Sequence, residues 1–446
     1  MRLLLLLALP SLAAEPARLS MTLAQAEAQA MARSPSLAAA LADSRSAGAE
    51  ADAARAGFLP RLSLDASYRY QAEVPSFAIA PGAPARPFGD HRTTTIGPTL
   101  NWTLWDEGAL YRQWAAQKRR ALSQDALARL ARRQAALGAR LAYFQVQLAR
   151  ERLALLDDSV SLADTQHADI AKRRRAGSAS RLDDLFAHQE ALRRRRDYLD
   201  AQSALGAAVS ELLALTGGAE GLDAARAADA RKPRAPADLP QPTLLVEVDA
   251  LSVSTAALAA AAASPLDPAH PRLAAYEAMA DAARLSARAA EAAGRPKLQL
   301  TARASYDYPN IPLLESVWQK TAGLSLSAPL LEFGRSKSEA GALRAQAAAA
   351  ESRRAQAQDE LVRDRAKSLE RLASLETQAP ILERSLAEAD EVARLTYSAY
   401  QAGHSSLLEV QSANVRAVEA RTERARADAE ALIELAVLAS LAPESP

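Results

Sequence analysis

Leu62-Ser63-Leu64-Asp65-Ala66-Ser67-Tyr68-Arg69-Tyr70 sets Leu, Leu, Ala, Tyr and Tyr on one side of a two-residue period and Ser, Asp, Ser and Arg on the other. Sustained alternation is the signature of a β-strand with one apolar and one wet face. A second strand is expected near 93–105, where Ile96, Leu100, Trp102 and Leu104 oppose Thr95, Thr99, Asn101 and Thr103. Two more follow far along the chain, near 297–308 and 321–331. In the first of these Leu298, Leu300, Ala302, Ala304, Tyr306 and Tyr308 oppose Lys297, Gln299, Thr301, Arg303, Ser305 and Asp307. In the last, Leu324, Leu326, Ala328 and Leu330 oppose Ser325, Ser327 and Pro329, so one face reads as wholly apolar in all four strands.

The two pairs of strands belong to two copies of one unit. Leu59-Pro60-Arg61-Leu62-Ser63-Leu64 returns as Arg295-Pro296-Lys297-Leu298-Gln299-Leu300, and Gly97, Gly108 and Gly177 return as Gly323, Gly334 and Gly403. The reading divides the chain into residues 15–216 as the first repeat, 217–270 as a Pro- and Ala-rich inter-repeat segment, and 271–446 as the second repeat. Residues 1–14, with Arg2, the apolar run Leu3 to Leu9 and small residues Ala13 and Ala14, read as a secretory signal peptide.

Composition narrows the function. The 446 residues carry 54 Lys+Arg against 53 Asp+Glu, a net charge of +1 that the leader's Arg2 accounts for, so no basic field is available for nucleic acid. Cys 0 removes disulfides, thiolate metal sites and a cysteine nucleophile. The five His are scattered without an HxxH or HxxxH pair, GxSxG and HExxH are absent, and neither an enzyme, a cofactor nor a metal is expected.

Alternating strands also occur in soluble sheets. Here each is about as long as a tilted membrane strand, ~9–11 residues. Charges sit in the middle of the polar face, and thirteen of the 20 aromatic residues crowd into Phe58–Trp114 and Tyr306–Phe333, as in an interfacial girdle. Leu64, Leu100, Trp102, Leu300 and Leu326 are therefore expected to face lipid. Four strands cannot close, and an open edge in hydrocarbon leaves backbone groups unpaired at several kcal/mol each, so several copies must assemble. Two chains would give eight strands and three would give twelve; geometry alone does not choose.

Between the strands lie very long helices. Residues 109–176 contain no Pro and space Leu127, Leu141, Leu148, Leu155 and Leu162 in heptads with Leu130, Leu137 and Phe144. Residues 335–402 repeat this with a bend expected at Pro380. Shorter helices are expected over 35–57, 180–216, 271–294 and 405–441. The fold class is thus mixed: a membrane β-barrel continued by a long α-helical barrel, a tandem repeat of two strands and long helices per copy, closed by oligomerisation.

With these elements in place the chain resembles the outer membrane efflux protein family, the TolC-like exit ducts. The carrying residues are Leu23-Ala24-Gln25-Ala26 with Ser34-Pro35, Gly57-Phe58-Leu59-Pro60, Leu104-Trp105-Asp106-Glu107-Gly108 and Pro329-Leu330-Leu331-Glu332-Phe333-Gly334. Two glycine turns complete the set, Ala176-Gly177-Ser178-Ala179-Ser180-Arg181-Leu182-Asp183 and Ala402-Gly403-His404-Ser405-Ser406-Leu407-Leu408-Glu409. The resemblance implies a homotrimer with a twelve-stranded barrel in outer membrane lipid and helices in the periplasm. It implies a passive duct of a tripartite efflux pump or type I secretion system, working with a periplasmic adaptor and an inner membrane transporter.

It also implies roles at the turns. Gly177, Ser178, Gly403 and His404 would be adaptor-docking tips, and Asp183, Tyr400 and Glu409 periplasmic gate residues, with Tyr400 bonding across to Asp183. Ser405 and Ser412 depart from the arginine and acid expected there. For the two acids the alternative is a carboxylate stabilised at a helix N-terminus, and Lys172-Arg173-Arg174-Arg175 reads as a solvated charge run or an adaptor contact. An exported helical scaffold or adaptor without a pore is the competing reading of the whole chain.

Overall fold

The computed structural model describes residues 17–77, 86–87, 89–217, 244–249, 258–259, 263–310 and 314–443. The leader, the middle of the 71–92 loop and most of the inter-repeat segment lie outside them. Element order is β1 (Ala17–Ser20), α1 (Leu23–Arg33), α2 (Pro35–Ala56), β2 (Arg61–Tyr70), β3 (Ser76–Phe77), β4 (Arg86–Pro87), β5 (Arg92–Trp105), α3 (Ala109–Arg175), α4 (Arg181–Thr216) and β6 (Leu244–Glu247). The second half contributes α5 (Pro271–Ala293), β7 (Lys297–Tyr308), β8 (Val317–Ser327), α6 (Arg335–Gln401) and α7 (Leu407–Leu441). No described helix is long and apolar enough to cross a membrane.

The chain forms two compact units that cut across the repeats. One comprises Met1–Ala38, Leu130–His270 and Asp359–Pro446, and the other Ala39–Arg129 and Pro271–Gln358. The second unit holds the four-stranded antiparallel sheet β2-β5-β7-β8. Its register sets Leu62 opposite Leu100, Leu100 opposite Ala302, Trp102 opposite Leu300, and Leu300 opposite Leu324, so the apolar residues of all four strands share a face. Leu64, Leu100, Trp102, Leu300 and Leu326 all stand on it. Leu64 and Leu326, on the edge strands, are 71% and 69% exposed. Leu100 and Leu300, flanked on both sides in β5 and β7, are half-buried.

Three details depart from the alternation. The last strand covers Val317–Ser327, not 321–331, because Pro329 has no N–H for the ladder and closes it early. This shift brings Trp318 and Lys320 onto the apolar face, opposite Tyr306 and Ala304, so that face is not wholly apolar. In β5 the register slips between Thr103 and Trp105, which makes Trp105 rather than Leu104 the partner of Leu298. At Gly97 the backbones come so close that a Cβ would lie 2.0 Å from the Ala304 carbonyl oxygen, which only glycine permits.

Aromatic residues mark both ends of the apolar face. Tyr68, Tyr70, Tyr306, Tyr308 and Trp318 lie toward the loop end, with Tyr306 and Trp318 rings 5.6 Å apart. Trp102 and Trp105 lie toward the helix end, where the Trp102 indole donates to the Phe58 carbonyl at 2.9 Å. Each returning strand enters its long helix through the same pair of left-handed residues, Glu107-Gly108 (φ 56, 75) and Phe333-Gly334 (φ 49, 84). In the first copy Asp106 accepts from the N–H groups of Gly108 and Leu110 at 3.0 and 2.7 Å, satisfying donors that a helix start leaves free.

At ~1.5 Å per residue the 67 residues of α3 and of α6 each measure ~100 Å. Pro380, where a bend is expected, lies inside α6, and the helix continues past it without the hydrogen bond that proline cannot donate. In the first unit the core gathers Tyr143, Phe144 and Val146 of α3, Val209 and Leu212 of α4 and Leu432, Leu435 and Leu438 of α7. Fully burying each such side chain is worth ~1.5–3 kcal/mol. The buried Tyr143 hydroxyl shares its proton between the Met21 carbonyl at 3.0 Å and Asp249 Oδ2 at 3.1 Å, and accepts from the Asp249 N–H at 2.9 Å. It thereby ties both flanking segments, as does the parallel pairing of β1 with β6, neither of which the alternation in the sequence signals.

Candidate functional site: the two helix-end turns

The predicted tip residues form two turns built alike. At the end of α3 the Gly177 N–H bonds to the Arg174 carbonyl at 3.0 Å and the Ser178 N–H to Arg173 at 2.9 Å. After α6 the Gly403 N–H bonds to Tyr400 at 3.0 Å and the His404 N–H to Ala399 at 2.9 Å. Both are Schellman closures, and both need a left-handed residue, here Gly177 (φ 77) and Gly403 (φ 79). Gly177, Ser178, Gly403 and His404 are all exposed.

The next helix begins three residues later in each turn. Ser180 caps α4 by accepting from the Asp183 N–H at 3.0 Å while Asp183 accepts from the Ser180 N–H at 3.1 Å. Ser406 and Glu409 do the same for α7 at 3.3 and 2.9 Å. Both predicted gate acids are therefore the third-position partners of capping boxes. A further hydrogen bond from the Ser405 hydroxyl reaches Glu409, and that bond, with the Ser406 N–H, holds its carboxyl below the usual carboxylate range. The Ser-x-x-Asp/Glu spacing signals such boxes in the sequence.

Behind the turns lies a small core of Ile170, Ala187, Leu407 and Val410, against which Tyr397 and Tyr400 pack. Tyr400 lies 5.9 Å from the Arg173 guanidinium, ring centroid to carbon. Burial, then the Asp183 carboxylate, pushes the Tyr400 phenol up, but the expected bond between the two is not made: Asp183 is engaged by Ser180 in its capping box. The tyrosine seen to bond across helices is Tyr397, whose hydroxyl donates to Asp169 Oδ2 at 3.2 Å. Arg173 pairs with Asp169 at 3.2 Å and donates to the Gln401 carbonyl at 3.3 Å. Arg174 pairs with Asp184 at 3.2 Å. Two members of the charge run thus tie α3 to its neighbours, a use no spacing rule reveals.

Each turn also presents a bare leucine at the second position of the following helix, Leu182 at 60% and Leu408 at 73% exposure. Sequence reasoning passed over both, although their equivalence is visible in the repeat. Among the described residues no group of His, Asp or Glu is arranged to hold a metal.

Two tandem repeats, each a strand pair with long helices and a glycine turn, define the class by architecture: a two-repeat, largely helical protein whose strands share one four-stranded sheet. The family model for the outer membrane efflux protein matches residues 26–218 and 268–442. The chain belongs to that family. Its members are transport ducts, not enzymes, placed in the outer membrane with their helical part in the periplasm. Channels of the family work with a periplasmic adaptor and an inner membrane pump.

Solved structures share the fold. A membrane protein from Pseudomonas aeruginosa superposes with a TM-score of 0.75 at 20% identity over 94% of this chain and 93% of that one. The outer membrane protein VceC from Vibrio cholerae gives 0.75 at 17% over 94% and 95%. The Campylobacter jejuni CmeC outer membrane channel gives 0.74 at 14% over 95% and 87%. None of the curated proteins matches.

Proposed function

We propose that this chain is the exit duct of a tripartite efflux pump or type I secretion system, assembled as a homotrimer and passively conducting cargo out of the cell. The carrying observation is the sheet: four strands in register, their apolar residues on one face, and two open edges at β2 and β8. Joining β8 of one copy to β2 of the next satisfies those edges, three copies make twelve strands, and the apolar face then meets outer membrane lipid. The polar face, with Asp65, Arg61 and Arg303 on it, becomes the wall of an aqueous lumen.

The adaptor is proposed to dock on the glycine turns at Gly177, Ser178, Gly403 and His404. Exposed Leu182 and Leu408 beside them offer apolar contact that no described residue of this chain covers. The aperture is assigned to Asp183, Tyr400 and Glu409, with support from the packing of Tyr400 behind the turns and from the Tyr397–Asp169 bond between α3 and α6. Detergent-extracted protein should run as a trimer and open a conductance in planar bilayers. A monomer that stays soluble without detergent would contradict the reading.

A further inference from the structure

We infer that the helix-side half of the barrel lumen is a cation-lined segment that favours anions, so that the duct is matched to cargo carrying carboxylate, sulfate or phosphate groups. This rests on reading the polar face of the sheet as the lumen wall.

The register orders the charges on that face. From the helix end outward, Lys297 stands opposite Ser327, Arg61 opposite Asn101, which in turn faces Thr301, and Arg303 opposite Thr99 and Thr321. Only then come Asp65, opposite Gly97, and Asp307, opposite Thr95 and Val317, followed by Arg69 opposite Thr93. All the acids of this face are in the loop-side half, and three of its four cations are in the other half. The sum over the strands of this face is +2 per chain, on a molecule whose total is only +1.

The charges are not neutralised locally. Among the described residues Lys297, Arg61 and Arg303 make no ion pair, and Nε of Arg303 is buried without a partner. The acids meet hydroxyls rather than cations: Asp65 accepts from Ser63 at 3.4 Å, and Asp307 Oδ2 accepts from Ser305 at 2.9 Å while its Oδ1 is buried without a partner. Along a strand two residues advance ~7 Å, which is less than a Debye length of ~8 Å at physiological salt, so the Arg61 and Arg303 rows add their fields, and the Asp65 row one step further out offsets part of the Arg303 row while leaving Arg61 and Lys297 uncompensated. Repeated around a closed barrel, each row becomes a ring, and rings of Arg or Lys select for anions.

The test is the reversal potential of the reconstituted duct across a KCl gradient. Arg61→Gln with Arg303→Gln should lower the chloride-to-potassium permeability ratio about threefold, as expected for removing two partly screened rings of charge. Asp65→Asn with Asp307→Asn should raise it. Asp→Asn keeps residue size and Arg→Gln keeps a polar side chain on the wet face, and intact trimers on gels show that both pairs fold. Conducting variants whose reversal potentials do not move, or move the other way, overturn the inference. A folded wild-type trimer without any conductance would instead overturn the duct reading and remove the lumen on which the inference stands.

Discussion

Asp183 and Glu409 serve first as helix caps, and the chemistry of a capping box separates that service from any role of their charge. Gln completes such a box as Glu does. Glu409→Gln should therefore leave the thermal unfolding midpoint at the wild-type value while altering conductance, whereas Glu409→Ala should lower both. An unchanged conductance in the Gln variant would remove Glu409 from the aperture. The pH sign follows from the lowered pKa: the folded-state value lies below the ordinary 4.5, so the cap's contribution is complete above that value and fades only as pH falls through the lower one. A titration of conductance between about pH 5 and 8 should show no step that Glu409→Gln abolishes. Tyr143 carries a second residue-scale prediction. Desolvation pushes its phenol up to about 12, so any contribution it makes is complete below pH 10 and lost as pH rises toward that value. Tyr143→Phe strands the Met21 carbonyl and the Asp249 groups and should cost about 1–3 kcal/mol in thermal unfolding followed by circular dichroism. No loss would mean that β1 and residue 249 are held by other contacts.

Among the elements, the strands show what a sequence discloses and what it hides. The faces of β2, β5 and β7 were legible because alternation depends on local pleat alone, and Leu64, Leu100, Trp102 and Leu300 stand where it puts them. The start of β8 was not, because Val317-Trp318-Gln319-Lys320 breaks the period and belongs to the strand only through pairing with Ala304–Asp307. The bulge at Leu104 and the β1–β6 ladder are likewise properties of pairing between distant segments. The turns were legible as Gly with a following Ser, and the capping boxes could have been read from Ser180 to Asp183 and Ser406 to Glu409. The Tyr397–Asp169 bond could not, since it depends on the relative rotation of two long helices. Gly97 offers a test at this scale. Gly97→Ala would drive a methyl into the Ala304 carbonyl and part β5 from β7, so folded oligomer on non-denaturing gels should fall sharply; undiminished oligomer would show that the close approach at Gly97 does not hold the sheet.

For the molecule as a whole, the account requires that the nonpolar side of the sheet touch hydrocarbon and that its opposite side touch water. A chain with Cys 0 accepts single cysteine spin labels without background. Labels at Leu64 and Leu326 of the reconstituted protein should collide freely with oxygen and poorly with a water-soluble nickel chelate. Labels at Ser63 and Ser325, on the neighbouring pleats, should show the reverse. Equal access to the chelate on both sides, or labels at Leu64 and Leu326 immobilised and shielded from both reagents, would contradict the account.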